Sequence, residues 1–333
     1  MKFTKHIILS LFILSFLSEK TMAQCSGTYF EPRTRQLTEY FLNQPIYNPA
    51  FAGQSNLPTI GIATRVSNSP ILNGFNIDLQ PFSVAAFAHG NLNERVGIGL
   101  MVNYDDFRDG ADRRTLQLGV MQNYLWELGE DLEFRLGLNA SLLHYRSFCA
   151  NINGFFNPAP VLPRNEANFK FNTDIGVLIK YKKALLGLSI NHANEPQFQF
   201  FSNTTERFRR ETYITASYEL DVIENVFTVV PSLMLNTLVG NRGFYNFSRN
   251  YTNLNILLKY KEIGFVGLSY KTQDMPYEYA LTIGGRVADT WQLSTTFNFK
   301  NNDLVGSSIN DYSRIEASLG IFLNRADEGY EVD

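Results

Sequence analysis

The chain has 333 residues, a net charge of −3 and a mean hydropathy of −0.15, with 18% charged but 14% aromatic side chains. That hydropathy excludes a bundle of membrane helices, and past the N-terminus there is no run of about 18 apolar residues such as a spanning helix needs. The weak net charge gives no electrostatic reason to expect a nucleic-acid partner. A chain poor in charge and rich in Tyr and Phe is what a membrane barrel with aromatic girdles would show.

Residues 1–23 read as a secretory signal peptide: Lys2 and Lys5 form the charged start, Ile7 to Leu17 the apolar core, and Thr21-Met22-Ala23 the small-residue cleavage site. Cleavage is expected after Ala23. Gln24 precedes Cys25 where a lipoprotein carries a small residue, which argues against lipidation. Cys25 and Cys149 permit one disulfide, and nothing in their spacing requires it.

Residues 24–56 form an N-terminal segment without strand alternation. It contains Gln44-Pro45-Ile46-Tyr47-Asn48-Pro49-Ala50-Phe51-Ala52-Gly53, whose two prolines are expected to exclude helix and impose extended or turn geometry. Alternating segments then run almost without pause through 57–323. They are placed near 57–66, 75–90, 95–105, 112–126, 130–146, 169–181, 183–193, 208–221, 225–237, 251–261, 263–272, 277–288, 290–300 and 312–323. The clearest unit is Phe169 to His192. Phe171, Thr173, Ile175, Val177 and Ile179 form one apolar edge, Asn172, Asp174, Gly176 and Lys180 the polar one, and Leu178 interrupts the polar face. After the turn at Lys182-Lys183, Leu186, Leu188 and Ile190 resume the apolar edge.

The connections decide between a soluble sandwich and a barrel. Links from even to odd strands are short, at Asn91–Glu94, Leu128–Gly129, Lys182, Val222–Glu224, Glu262 and Asp289. Odd-to-even links are mostly longer, at 147–168, 194–207, 238–250 and 301–311. Short turns at one end and long loops at the other define an outer-membrane barrel with periplasmic turns and extracellular loops. Tyr124, Trp126, Tyr181, Tyr218, Tyr260 and Trp291 fall near the short-turn ends and Tyr104, Tyr270 and Phe299 near the others, as two interfacial belts would. The expected fold is therefore all-β, a 14-stranded antiparallel outer-membrane β-barrel.

Polar residues opposite the apolar stripes, among them Asn103, Gln117, Asn123, Arg135 and Asn139, must face the lumen, because Arg or Lys on the lipid face costs ~2–4 kcal/mol at the midplane. Glycines share that face: Gly97, Gly99, Gly137, Gly176, Gly187, Gly267 and Gly284. Two readings stand. They ease barrel curvature, or they clear room for a polypeptide segment inside the lumen.

Chemistry is sparse. His89, His144 and His192 have no ligand partner at close spacing, and no zinc-protease, nucleophile-elbow or phosphate-loop motif occurs. Asp105, Asp106, Asp109, Gly110 and Asp112 make an acidic loop out of order for an EF-hand, read as solvated. No cofactor, metal site or catalytic constellation is expected, and the protein is read as a non-enzyme.

The stretch Asn48-Pro49-Ala50-Phe51-Ala52-Gly53 resembles the N-P-A-[YF]-A-G signature of the PorP/SprF family, outer-membrane barrels of the type IX secretion and gliding machinery of Bacteroidetes. Val96-Gly97-Ile98-Gly99-Leu100 leading to Asp105 or Asp106 is similar to another of its stretches. Asn172 to Val177 before Leu186 to His192 is similar to its central hairpin, and Val230-Pro231-Ser232-Leu233 and Val266 to Tyr270 to its later strands. The resemblance covers about Gln44 to Asn324. It implies a non-enzymatic Gram-negative outer-membrane component that aids export or surface retention of cargo bearing a type IX C-terminal signal, large adhesins included. The implied partners are that cargo, periplasmic or outer-membrane type IX components, and membrane lipid. Asn48, Pro49, Ala50, Phe51 and Gly53 are the expected plug or partner motif, a passive porin-like channel being the alternative reading. Residues 324–333 form an acidic tail that is either without fixed structure or a dock for a periplasmic partner.

Overall fold

The computed structural model describes residues 37–55, 57–68, 79–108, 112–148, 165–200, 204–239, 251–261, 263–273, 278–287, 290–300 and 314–323. The signal peptide, Cys25, Cys149, Asp109, Gly110 and the acidic tail lie outside the described residues.

Period-two alternation becomes a closed antiparallel wall. Its strands are β1 (Thr59–Asn68), β2 (Leu79–Asn91), β3 (Val96–Arg108), β4 (Asp112–Glu127), β5 (Leu132–Phe148), β6 (Asn165–Tyr181) and β7 (Ala184–Asn191). A small hairpin follows, β8 (Gln197–Phe200) and β9 (Thr204–Arg207). The wall continues with β10 (Arg210–Tyr218), β11 (Leu220–Ile223), β12 (Phe227–Val239), β13 (Tyr251–Tyr260), β14 (Gly264–Gln273), β15 (Glu278–Val287), β16 (Trp291–Lys300) and β17 (Arg314–Phe322). Each wall strand pairs with its sequence neighbour, β1 pairs with β17, and β10 bridges β7 and β12. Since β11 continues β10 past a break at Glu219, the wall is a closed 14-strand barrel. Among the described residues the sheet closes on itself through the β1–β17 and β7–β10–β12 pairings, and closure is the condition for strands to cross lipid.

The two faces sort by solvent. Leu100 is 59% exposed beside Met101 at 3%, and the outward stripe continues through Leu136, Ile175, Leu188, Ile256 and Leu268. Tyr124, Trp126, Tyr181, Tyr218, Tyr260 and Trp291 are all exposed at the short-turn ends. Asn103, Gln117, Asn139, Asp174, Asn253 and Asn255 are buried inside. The interior is not wholly polar. Ala63, Ala85, Phe87, Met101, Met121, Met234 and Tyr251 form an apolar patch on the inner wall.

Three expectations need correction. The strand expected at 208–221 is broken at Glu219, and the link expected at Val222–Glu224 starts later because Val222 and Ile223 belong to β11. The stretch 194–207, expected as plain loop, holds the β8–β9 hairpin, whose four-residue strands are too short for a periodic signal. Residues 44–51 are partly helical: α1 (Gln44–Tyr47) carries Pro45 in its first turn, and a single 3₁₀ turn spans Pro49–Phe51 with Pro49 at its start. Proline lacks an N–H that the first turn does not use, so it opens helical turns that it would break further in.

Candidate functional site

Residues 37–55 lie inside the barrel, and their local shape follows from their sequence. Asn48 is extended (φ −144°, ψ 111°) between the two turns, and its Oδ1 accepts from the Ala50 N–H at 2.9 Å, capping the 3₁₀ turn. Its Nδ2 donates across to the Val177 carbonyl at 3.0 Å, which fixes the turn against the wall. Gly53 sits at φ +68°, where a side chain would be strained, and a Cβ there would meet Gly97 Cα at 2.8 Å.

The wall that receives this segment is one cross-strand row. The register pairs Asn91 of β2 with Gly97 of β3, Gly97 with Asn123 of β4, Asn123 with Gly137 of β5, Gly137 with Gly176 of β6, and Gly176 with Ser189 of β7. Ser189 then faces Tyr213 of β10. The segment follows this row from strand to strand. Tyr47 packs on Tyr213 with ring centroids 5.4 Å apart, and Ser189 Oγ donates to the Tyr47 carbonyl at 2.7 Å. A Cβ on Gly176 would come within 2.9 Å of Pro49 Cδ, and one on Gly137 within 2.6 Å of Ala50 Cα. Asn123 Nδ2 donates to the carbonyls of Ala50 and Ala52, and a Cβ on Gly97 would overlap the Ala52 carbonyl. Arg135 Nη1 donates to the Gly53 carbonyl at 3.2 Å, while the Gly53 N–H donates to His89 Nδ1 at 3.0 Å.

The glycines named from sequence thus divide. Gly97, Gly137 and Gly176 border the segment, and a Cβ on Gly187 would stand 3.1 Å from Asn48 Nδ2. Gly99 instead neighbours Met121, Ala88 and His89, Gly267 neighbours Thr282, and Gly284 is filled by the Phe265 ring. Leu178, the apolar interruption of a polar face, packs with Ala50, Phe51 and Leu185. Beside the lumen-facing glycines, an apolar residue on the wet face was a second sequence signal of a surface inside the lumen.

The other end of the segment is held differently and near the long-loop rim, close to the end of β16 and the start of β17. The Thr38 N–H donates to Glu316 Oε2 at 2.6 Å and its hydroxyl to Glu316 Oε1 at 2.8 Å, while Lys271 Nζ donates to Thr38 Oγ1 at 2.5 Å. Around them Arg65 stands 3.6 Å from Glu316, and Lys271 stands 3.1 Å from Glu278. The Glu39 carboxylate accepts from Ser294 at 2.9 Å, from Thr296 at 2.6 Å and from Ser318. None of these partners was singled out from sequence, since strands far apart in the chain supply them.

A second body lies over the β5–β7 part of the lumen. Phe198 of β8 and Phe208 just after β9 pack edge-on against Tyr145, both at 5.3 Å, and Glu195 pairs with Arg207 and Arg210. Beneath them Asp174 accepts from Asn139 (2.6 Å), Asn172 (3.1 Å) and the His192 N–H (2.8 Å). A cavity of about 210 Å³ remains near the short-turn end, between the segment at Phe41, Phe51 and Gln54 and the wall at His89, Gln292 and Phe322. Among the described residues no cluster of His, Cys, Asp or Glu could hold a metal; Asp105 and Asp106, expected in a solvated acidic loop, are instead buried in β3, with Asp106 3.6 Å from Arg114.

A family model described as type IX secretion system membrane protein PorP/SprF matches residues 30–320. Among solved structures the chain is similar to the CymD monoaromatic hydrocarbon channel, with TM-score 0.51 and 12% identity over 84% of this chain and 92% of that one. The P. putida toluene transporter TodX and the Ralstonia pickettii toluene transporter TbuX each give TM-score 0.51, at 8% and 10% identity, over 84% of this chain and 93% of theirs. These likenesses establish a shared outer-membrane barrel fold. No curated protein matches the chain.

Proposed function

This chain belongs to the PorP/SprF family of type IX secretion system membrane proteins, and on that premise we propose that it is a non-enzymatic partner barrel that aids export, or surface retention, of cargo with a type IX C-terminal signal. Large adhesin-like surface proteins are the cargo class proposed, with periplasmic or outer-membrane type IX components as further partners. The observation that carries this reading is the segment 37–55 bound along the inner wall with its own helical turns, cap and anchors, which fills lumen that an open pore would leave to water. Asn48, Pro49 and Gly53 are proposed as its functional positions, and the leader 1–23 as a cleaved signal peptide. Tagged protein purified from detergent-solubilised outer membranes is expected to bring down a large exported protein or secretion-ring components, identified by mass spectrometry. A passive small-solute channel is the competing reading, favoured by the cavity of about 210 Å³ at the short-turn end. Recovery of the barrel alone, with steady conductance in planar bilayers, would replace the first reading with the second.

A further inference from the structure

The outer, lipid-facing wall carries an open hollow of about 480 Å³ across β6, β7, β10, β12 and β13. Its shape follows from the register. One outward row runs Ile179, Leu186, Ala216, Leu233 and Leu254, so a single methyl group stands between two leucines. The next row toward the short turns runs Tyr181, Ala184 and Tyr218, a second alanine between two exposed girdle rings. Those two rings stand two interstrand spacings apart, ~10 Å, which leaves room between them for one hydrocarbon chain. The hollow also lies over a break in the wall. The β10–β12 ladder stops at Ser217 and Ser232, and the β11–β12 ladder starts at Leu220 and Val229. Pro231 stands between them and has no N–H to donate. At the interface edge, Lys182 Nζ lies 5.6 Å from the centre of the Tyr181 ring. Its pair with Asp131 at 3.4 Å is exposed and therefore weakly held, so the ammonium can serve a second anion.

We propose that this hollow is a binding site for one glycerophospholipid of the periplasmic leaflet. An acyl chain lies on Ala184 and Ala216 between Tyr181 and Tyr218, and its phosphate accepts from Lys182. The occupant follows from place and charge. The hollow is continuous with the leucine and isoleucine stripe that faces hydrocarbon, so what fills it comes from the bilayer. Its polar edge lies at the level where aromatic belts meet headgroups, and it carries a cation that suits a phosphate. A chain seated here also covers Pro231 and the break between β10 and β11. The site needs only the barrel and goes beyond the export reading above.

The test uses the full barrel, purified in mild detergent and weighed intact by native mass spectrometry. One phospholipid per chain is expected to survive purification. Ala216→Phe fills the floor of the hollow and should cut that retention about tenfold. Ala140→Phe places the same ring at an exposed position of β5 on the outer wall and should change nothing. Ala184→Leu takes the place of Ala216→Phe if the latter fails the heat-shift test of folding on gels. The wild type is then stripped by detergent exchange and titrated with phosphatidylglycerol or with diacylglycerol of the same chains. Phosphatidylglycerol should bind about tenfold more tightly, the scale of one charge-assisted hydrogen bond, and Lys182→Gln should erase that preference. Loading should raise the unfolding temperature of the wild type and leave that of Ala216→Phe unchanged. No retained phospholipid, or equal retention by the wild type and Ala216→Phe, overturns the site. Equal binding of the two lipids overturns the role of the phosphate. None of these readouts needs cargo, so a failed pull-down and an empty hollow are separable results.

Discussion

The inner wall holds the same segment in two ways. From β2 to β7 the contact surface is mainly glycine, asparagine and serine, with His89 and Arg135 at Gly53, and the segment's backbone lies directly on it. Near the long-loop rim the surface is Arg65, Lys271, Glu278 and Glu316, which hold Thr38, and deeper along β16 and β17 a trio of hydroxyls holds the Glu39 carboxylate. The first surface works by absence of bulk with hydrogen bonds to the segment's main chain, the second by buried charge and hydrogen bonds to its side chains. Shape fails abruptly when a side chain is added, whereas a polar network fails by degrees.

The largest effect should therefore come from filling the row. Gly137→Leu places carbon where Pro49 and Ala50 main chain already stands. Overpacking costs ~1–3 kcal/mol where neighbours can shift, and here neither backbone can. Residues 47–53 should leave the wall entirely, read as protease cleavage within 44–55 of a barrel still folded by its heat-shift on gels. Gly99→Leu is the contrast: its nearest neighbours are Met121, the Ala88 carbonyl and His89 rather than the segment, so residues 47–52 should stay protected and only the Gly53–His89 bond should loosen. Equal cleavage in both variants would mean that the row has no special fit.

Next comes the charged anchor. Glu316→Gln removes the carboxylate that Arg65 faces at 3.6 Å and that the Thr38 N–H uses as acceptor. Breaking a buried pair costs ~3–5 kcal/mol, because the partner charge stays buried. Amide exchange should quicken at Thr38 and Glu39 while Ala50 and Ala52 stay slow. Loss of protection along the whole segment would instead make the two surfaces one cooperative unit.

The difference between the surfaces also explains what could be read in advance. Alternation sets the wall, since Leu100 against Met101 and Leu188 against Ser189 are local facts of spacing. The glycine row was visible residue by residue, but its straightness depends on register across β2 to β7, which sequence spacing states only to within a few residues. The charged anchor was illegible: Thr38, Lys271, Asn298 and Glu316 meet only because the barrel closes. Pro45 misled by its usual meaning, since a four-residue helix has little beyond a first turn for proline to break.

A smaller effect belongs to Asn48→Ala, which removes both the cap on the Ala50 N–H and the donor to the Val177 carbonyl. Losing an N-cap costs ~1 kcal/mol, and a neutral hydrogen bond about as much. At about 1.4 kcal/mol per tenfold, exchange at Ala50 should quicken by one to two orders of magnitude. The glycine row itself is untouched, so the turn should remain on the wall. A rate unchanged at Ala50 would show that shape alone holds this stretch.

The smallest effect, and the finest probe of main-chain recognition, is Ser189→Ala. Ser189 sits at the β7 end of the row, and its hydroxyl donates to the Tyr47 carbonyl at 2.7 Å. The substitution subtracts one donor and no packing, so ~1 kcal/mol is the expected scale. Because the carbonyl belongs to the backbone, the loss should be the same when Tyr47 is replaced by Phe. Tyr47 also accepts from the Leu37 N–H through its own hydroxyl at 2.6 Å, so Tyr47→Phe alone should loosen the anchor end. The two changes should add, as independent sites do to within ~0.3–0.5 kcal/mol. Strong coupling would place the tyrosine ring, rather than the main chain, at the centre of what the wall recognises.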